Sequence, residues 1–160
     1  MTDDREMPAA TRQLELYAGG LSIAAAVVHG LVVPEHLAEW WGYGLFFFGA
    51  TLVQGGYGIL LFLQPWRYDT SGGFDPEQGQ TTAARLYWIG IAINVSIIAL
   101  YVVTRTIGIP VFGPEAGEVE EITAISALSK AIEVVLVGVL VVALRRGQNA
   151  TGRAAVGPKG

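Results

Sequence analysis

The chain has 160 residues, 52% of them hydrophobic and 15% charged, with a mean hydropathy of +0.46 and a formal charge of -4. About a quarter of the residues of a soluble domain are charged, so this composition has too little polar surface for a water-soluble globule and reads as a single-domain membrane protein. The acidic balance leaves no basic face for nucleic acid, and the absence of cysteine excludes disulfides, thiolate nucleophiles, iron–sulfur clusters and cysteine zinc sites.

A helix rises 1.5 Å per residue, so roughly 20 apolar residues cross a hydrocarbon core of about 30 Å. The first such stretch covers residues 14–33. Asp3, Asp4 and Glu6 beside Arg5, and the lack of a small-residue cleavage site, argue for a mature helix rather than a signal peptide. Pro34 suits a first helical turn with Glu35 favoured by the helix dipole, which predicts that the second helix starts there, ahead of a span at 40–63 that ends at Gln64 and Pro65. Residues 67–85, rich in Gly, Asp, Ser and Gln, read as a solvated loop. The third span is 86–104 and the fourth 122–144, stopped by Arg145, Arg146 and Gly147, with 147–160 as a disordered tail. The predicted fold is all-α: an antiparallel four-helix transmembrane bundle, one domain over 1–146, with a structured outer loop.

Cytoplasmic flanks collect Lys and Arg. Arg5, Arg12, Arg67, Arg85, Arg145, Arg146, Arg153 and Lys159 flank one side and only Arg105 the other, which predicts both termini in the cytoplasm of a multi-pass cell-membrane protein. The outer connections hold Glu35, Glu39, Glu115, Glu118, Glu120 and Glu121, an acidic mouth that attracts cations.

The two histidines of the chain, His29 and His36, both fall near the first outer connection, read as a tight hairpin, and His36 lies three residues before Glu39. Two imidazoles and a carboxylate suit a divalent transition metal, with water or Glu118 completing the shell; such binding weakens as pH falls through the histidine range near 6.5. The alternative is interfacial structure, with His36 paired to Glu39 and His29 donating to a carbonyl. Trp40, Trp41 and Tyr43 suit an aromatic belt. The second outer connection, 105–121, is too long for a simple turn. Ile107, Ile109, Val111 and Phe112 offer an apolar anchor, and Gly108, Pro110, Gly113, Pro114 and Gly117 impose turns. The expected form is an ordered lid whose polar contacts come from Glu35, Thr104, Arg105 and Glu115, with Arg105 paired to Glu39 or Glu118.

The pattern Pro34-Glu35-His36-Leu-x-Glu39-Trp40-Trp41-Gly42-Tyr43-Gly44-Leu-Phe-Phe, with Val103-Thr104-Arg105-Thr106-x-Gly108-x-Pro110 and Gly113-Pro114-x-x-Gly117, resembles a group of uncharacterised small bacterial and archaeal integral membrane proteins. The resemblance covers residues 24–145 and implies four spans; it brings no activity, substrate or ligand. This chain departs from the pattern in the Val-Phe stretch before Gly113 and in Ser126, where an acid is expected.

Inside the spans Gln54, Asn94, Lys130 and Glu133 stand out. Asn94 and Glu133 fall roughly 14 to 15 Å deep, with Gln54 deeper and Lys130 shallower, so the four could share one polar layer. Lys130 and Glu133, three apart on one helix, can neutralise each other, and a proton or cation relay running from the outer histidines through them is the sharper reading. Gly42, Gly49 and Gly56 recur every seven residues, with Gly55 and Gly58 alongside, small residues for bundle packing or for a second subunit or a flat cofactor. Three function classes follow: a membrane protein binding a divalent metal through His29, His36 and Glu39; an accessory or assembly subunit of a membrane complex; and a small membrane oxidoreductase. Neither a phosphate-binding loop nor a Ser-His-Asp set is present.

Overall fold

The computed structural model describes residues 6–67, 76–108, 113–114 and 117–155. Four helices follow one another, α1 Glu6–Glu39, α2 Trp41–Leu63, α3 Pro76–Thr106 and α4 Ala124–Ala155, with one 3-10 turn, Pro65–Arg67, behind α2. No described residue is in a strand, and all four helices are long and apolar enough to cross a membrane. α1 packs along α2 and against α4, and α4 packs against α3. The start of α1, the α2–α3 connection and the end of α4 lie at one end of the bundle, here the tail end; the α1–α2 and α3–α4 connections form the corner end.

The distribution of polarity is the reverse of that in a soluble bundle. Leu31, Leu52, Ile59, Trp88 and Val134 are more than half exposed on the outside, whereas Glu15, Ser22, His29, Gln54, Asn94, Ser129 and Glu133 are buried inside. An apolar surface of this extent is unsuited to water and matches lipid tails, which drive polar groups inward. The chain is a multi-pass membrane protein. Its apolar core occupies the tail half, where Leu61, Leu136 and Leu140 are sealed among Ala18, Tyr57, Tyr87 and Ala143.

Close packing of α1 on α2 rests on Gly19 and Gly58. A Cβ on Gly58 would lie 2.8 Å from the Gly19 carbonyl oxygen and 2.7 Å from Ile23 Cγ1, and one on Gly19 would lie 3.1 Å from the Gly58 carbonyl oxygen. The Gly42, Gly49, Gly56 stripe does not serve the bundle: open space surrounds Gly49 and Gly56, and Gly42 lies under the Trp40 ring. Seven-residue spacing selects a face without saying which way it turns. Gly58→Ala is therefore expected to destabilise by about 1–3 kcal/mol through overpacking, whereas Gly56→Ala should be neutral or stabilise by up to about 1 kcal/mol through helix propensity. Thermal unfolding in detergent separates the two, and equal shifts would contradict this assignment of the contact.

Three helix boundaries differ from the sequence expectation. Pro34 does not open α2; α1 runs through it to Glu39. Its missing N–H removes one hydrogen bond near the helix end, which transmembrane helices tolerate. Trp40 alone makes the corner, extended at φ -164° and ψ 136°. Its N–H donates to the His36 carbonyl (3.0 Å), and its own carbonyl accepts from Tyr43 (3.1 Å) and Gly44 (3.3 Å). Second, residues 76–85 are helical rather than loop, with Pro76 in the first helical position, where its missing N–H is not needed; 68–75 lie outside the described residues. Third, α4 passes Gly147 and continues to Ala155, carried by Ala and Arg, good helix formers, while 156–160 lie outside the described residues. An apolar run marks where lipid contact ends, and a helix can continue into water beyond it.

At the corner end Thr123 and Ser126 cap α4 reciprocally. The Ser126 N–H donates to Thr123 Oγ1 (3.2 Å) and the Thr123 N–H to Ser126 Oγ (3.1 Å), a capping box with serine in the position usually held by an acid. The α3–α4 connection folds back onto the bundle: the Glu120 N–H donates to the Thr104 carbonyl at 3.2 Å. Gly108 and Gly113 have φ of 75° and 90°, a region open to glycine, and a Cβ on Gly113 would overlap the Tyr43 ring. Of the expected anchor residues, Ile107 is exposed and Ile109, Val111 and Phe112 lie outside the described residues, as do Pro110 and Glu115.

Candidate functional site

On α1, Glu15, Ser22, His29 and His36 recur every seven residues. Seven residues are close to two turns, so these side chains share one face at intervals of about 10 Å. Each reaches a different level of the bundle, and the level of His29 carries the most chemistry.

There all four helices contribute. His29 Nδ1 lies 2.8 Å from Gln54 Oε1, and Gln54 Nε2 donates to Asn94 Oδ1 (3.1 Å) and to Glu133 Oε1 (3.4 Å). His29 Nε2 faces Ser129 Oγ at 3.2 Å and Glu133 Oε1 at 3.3 Å. Ser129 Oγ is also 3.4 Å from Glu133 Oε1, and Lys130 Nζ donates to Glu133 Oε2 at 2.6 Å. His29 is 3% exposed and Glu133 is fully buried. Asn94, Gln54, Lys130 and Glu133 thus share one hydrogen-bonded layer with His29, and Ser129 joins them without having stood out in the sequence. A serine one turn before a buried glutamate on the same helix face is the signal that could have found it.

The orientation of each amide follows from its neighbours. Asn94 Nδ2 donates to the Gly90 carbonyl at 2.8 Å, which leaves Asn94 Oδ1 to accept from Gln54 Nε2. Gln54 then presents Oε1 to His29, and this acceptor requires the proton of the neutral imidazole on Nδ1. The lone pair of Nε2 would consequently face a carboxylate oxygen 3.3 Å away, with one Ser129 hydroxyl proton between two acceptors. One further proton, on His29 Nε2 or on Glu133 Oε1, resolves the conflict. His29 Nε2 and Glu133 Oε1 are close enough for one proton between them to serve both.

Lys130, with its side chain 14% exposed, connects Glu133 toward the corner end. Its Nζ lies 5.6 Å from the centre of the Tyr101 ring, and the Arg105 guanidinium lies 5.0 Å from the same ring. Arg105 pairs with Glu120, not with Glu39 or Glu118 as the sequence suggested, because the connection turns back at Gly108 and brings Glu120 beside Thr104. Thr104 Oγ1 donates to the Tyr101 carbonyl at 2.9 Å. Glu35 and Glu118 are exposed.

His29, His36 and Glu39 do not form one group. The sequence reading joins the histidines through a tight hairpin, whereas both lie on α1 with the Phe47 ring between them: His36 stacks on it at 4.2 Å and His29 is tilted to it at 5.7 Å. His36 Nδ1 and Glu39 Oε2 pair at 2.7 Å near the surface. Among the described residues no group of three or more His, Asp or Glu is placed to hold a metal ion.

A second buried carboxylate, Glu15, was not singled out in the sequence. Its Oε2 accepts from Gln64 Nε2 (2.8 Å), Arg67 Nε (3.1 Å) and Arg67 Nη2 (2.5 Å), and its Oε1 accepts from the Tyr87 hydroxyl (2.5 Å). Gln64 caps α2 in the left-handed conformation, φ 48° and ψ 50°, which turns the chain so that Arg67 comes back toward α1. The signal was present: a glutamate inside an apolar span, two turns from Ser22 and four from His29. No family model, curated protein or solved structure matches the chain.

Proposed function

We propose that this protein carries protons across the membrane, and that its proton-binding centre is the gap between His29 Nε2 and Glu133 Oε1. The observation that supports this reading is the facing of two proton acceptors across 3.3 Å in an orientation fixed by amides from α2 and α3. A layer serving only to join helices needs amides and hydroxyls, which link transmembrane helices without charge. This layer adds three ionisable groups at a depth where each unpaired charge costs at least about 2.5 kcal/mol. Lys130 balances the Glu133 carboxylate, and the proton in the gap is the part of the charge that can change. On the orientation given by the Lys and Arg distribution, Lys130 leads outward and Glu15 lies on the cytoplasmic side. Metal binding at the corner end is the weaker reading, since among the described residues His36 and Glu39 supply only two ligands there.

The test is proton uptake into liposomes containing the full-length protein, driven by a potassium diffusion potential and read by an internal pH dye. Uptake above that of empty liposomes is expected for the unaltered chain, and its loss in Glu133→Gln and His29→Gln, each with unchanged helical content. Uptake no greater than in empty liposomes, or equal in all three proteins, overturns the assignment.

A further inference from the structure

The proton centre is not equally closed on its two sides. Toward the corner end Glu133 meets Lys130, which is partly exposed; toward the tail end lie Leu61, Leu136 and Leu140, each fully buried. Beyond this apolar plug stands the Glu15 cluster. It joins four separate elements: Glu15 from α1, Gln64 from the cap of α2, Arg67 from the 3-10 turn and Tyr87 from α3. Both oxygens of Glu15 are taken, and the carboxylate is fully buried while the Arg67 side chain is 30% exposed.

We infer that the Glu15–Arg67 pair is the tail-end gate of the proton route, with Arg67 as its moving part; this rests on the proton-carrying reading above. Three features single out Arg67. It is the member of the cluster that already touches water, so that leaving Glu15 returns a guanidinium to solvent instead of stranding it. It sits on a three-residue turn, so its displacement unwinds no long helix. It is also the cationic partner of a carboxylate buried on the face of α1 that leads through Ser22 to His29. In the structure the gate is shut, and the proton centre communicates with the corner end through Lys130. Release of Arg67 would free the 3-10 turn Pro65–Arg67 from α1 and open the tail half toward Ser22.

The chain contains no cysteine, so Ser22→Cys supplies a single thiol on the tail side of the centre, where Ser22 is fully buried and donates to the Gln54 carbonyl at 2.7 Å. With the full-length protein in liposomes, a small water-soluble maleimide is expected to label this thiol slowly. Arg67→Gln should speed the labelling about tenfold or more, the change produced when the closed state loses about 1.4 kcal/mol. Arg67→Lys, which keeps the charge, should restore slow labelling, and Tyr87→Phe, which removes one donor and leaves the ion pair, should fall between. Ser129→Cys, in the layer of the centre itself, should keep its own rate in the Arg67→Gln background. Unchanged Ser22→Cys labelling in folded Arg67→Gln, or equal acceleration at Ser22→Cys and Ser129→Cys, overturns the gate. Because labelling is read without proton flux, failure of the gate and failure of the proton-carrying function are distinguished.

Discussion

Glu133→Leu is expected to destabilise the folded protein by about 3–5 kcal/mol, the usual cost of removing one partner from a buried ion pair. The carboxylate accepts from Lys130, Gln54 and Ser129 and faces His29 Nε2; leucine leaves an ammonium beside an apolar surface, while Gln54 keeps Asn94 Oδ1 and the Ser129 hydroxyl keeps His29 Nε2 as acceptors. Lys130→Met should cost less, since a stranded carboxylate can be neutralised by taking up a proton. The double change should cost less than the sum of the two, because the stranded charge is gone. Thermal unfolding of the four proteins in one detergent measures the cycle. Strict additivity would mean that Lys130 and Glu133 do not act as a pair, despite their 2.6 Å separation.

Glu15→Leu is expected to cost a similar amount, about 3–5 kcal/mol, by a different division. Gln64 and Tyr87 are buried, and each donor left without a partner costs about 1–3 kcal/mol. Arg67, 30% exposed, recovers part of its hydration and contributes less. Glu15→Gln keeps an acceptor for the Tyr87 hydroxyl but sets an amide N–H₂ against the donors of Gln64 or Arg67, so its effect should be intermediate. Unfolding midpoints in the order unaltered chain, Glu15→Gln, Glu15→Leu are the expected result, and a Glu15→Leu protein as stable as the unaltered chain would show that the cluster holds nothing together.

Both clusters solve the same problem. Helices surrounded by lipid gain little from apolar contact with one another, so packing and internal hydrogen bonds must hold them together. Gly19 and Gly58 supply the close approach of α1 and α2. The His29 layer joins all four helices near the middle, and the Glu15 cluster joins α1, α2 and α3 at the tail end. Buried polar groups of this kind specify which faces meet, since a rotation of any one helix would leave a charge or an amide without its partner.

Much of this was legible in the amino-acid sequence. Four apolar runs, each bounded by charge, proline or glycine, are enough to establish four helices of membrane length, because transfer of the backbone into lipid permits little besides a helix. Gln54, Asn94, Lys130 and Glu133 were conspicuous for the same reason: each is costly at its depth. Helix ends were less legible, since residues 76–85 and 147–155 are polar yet helical, and hydropathy reports the surroundings of a residue rather than its backbone. Pro34 misled because the same residue fits a first turn and is tolerated late in a membrane helix.

The sequence by itself determined the number of helices, their length and the presence of charge at mid-depth, all of which follow from local composition and a 1.5 Å rise per residue. Only the tertiary structure decided which faces turn inward. A seven-residue repeat marks a stripe but carries no direction, so Gly42, Gly49 and Gly56 read as a packing face, while of the glycines on that helix it is Gly58, beside the stripe, that meets Gly19. Likewise the sequence reading sets His29 and His36 near one surface, without the Glu15, Ser22, His29, His36 repeat that puts them on one face of α1. The docking of α2, α3 and α4 brings Gln54, Asn94 and Glu133 into one layer with His29 and sets Phe47 between the two imidazoles. These partners lie between 25 and 104 residues from His29, and pairings at that separation are set by how helices dock, which no local pattern encodes.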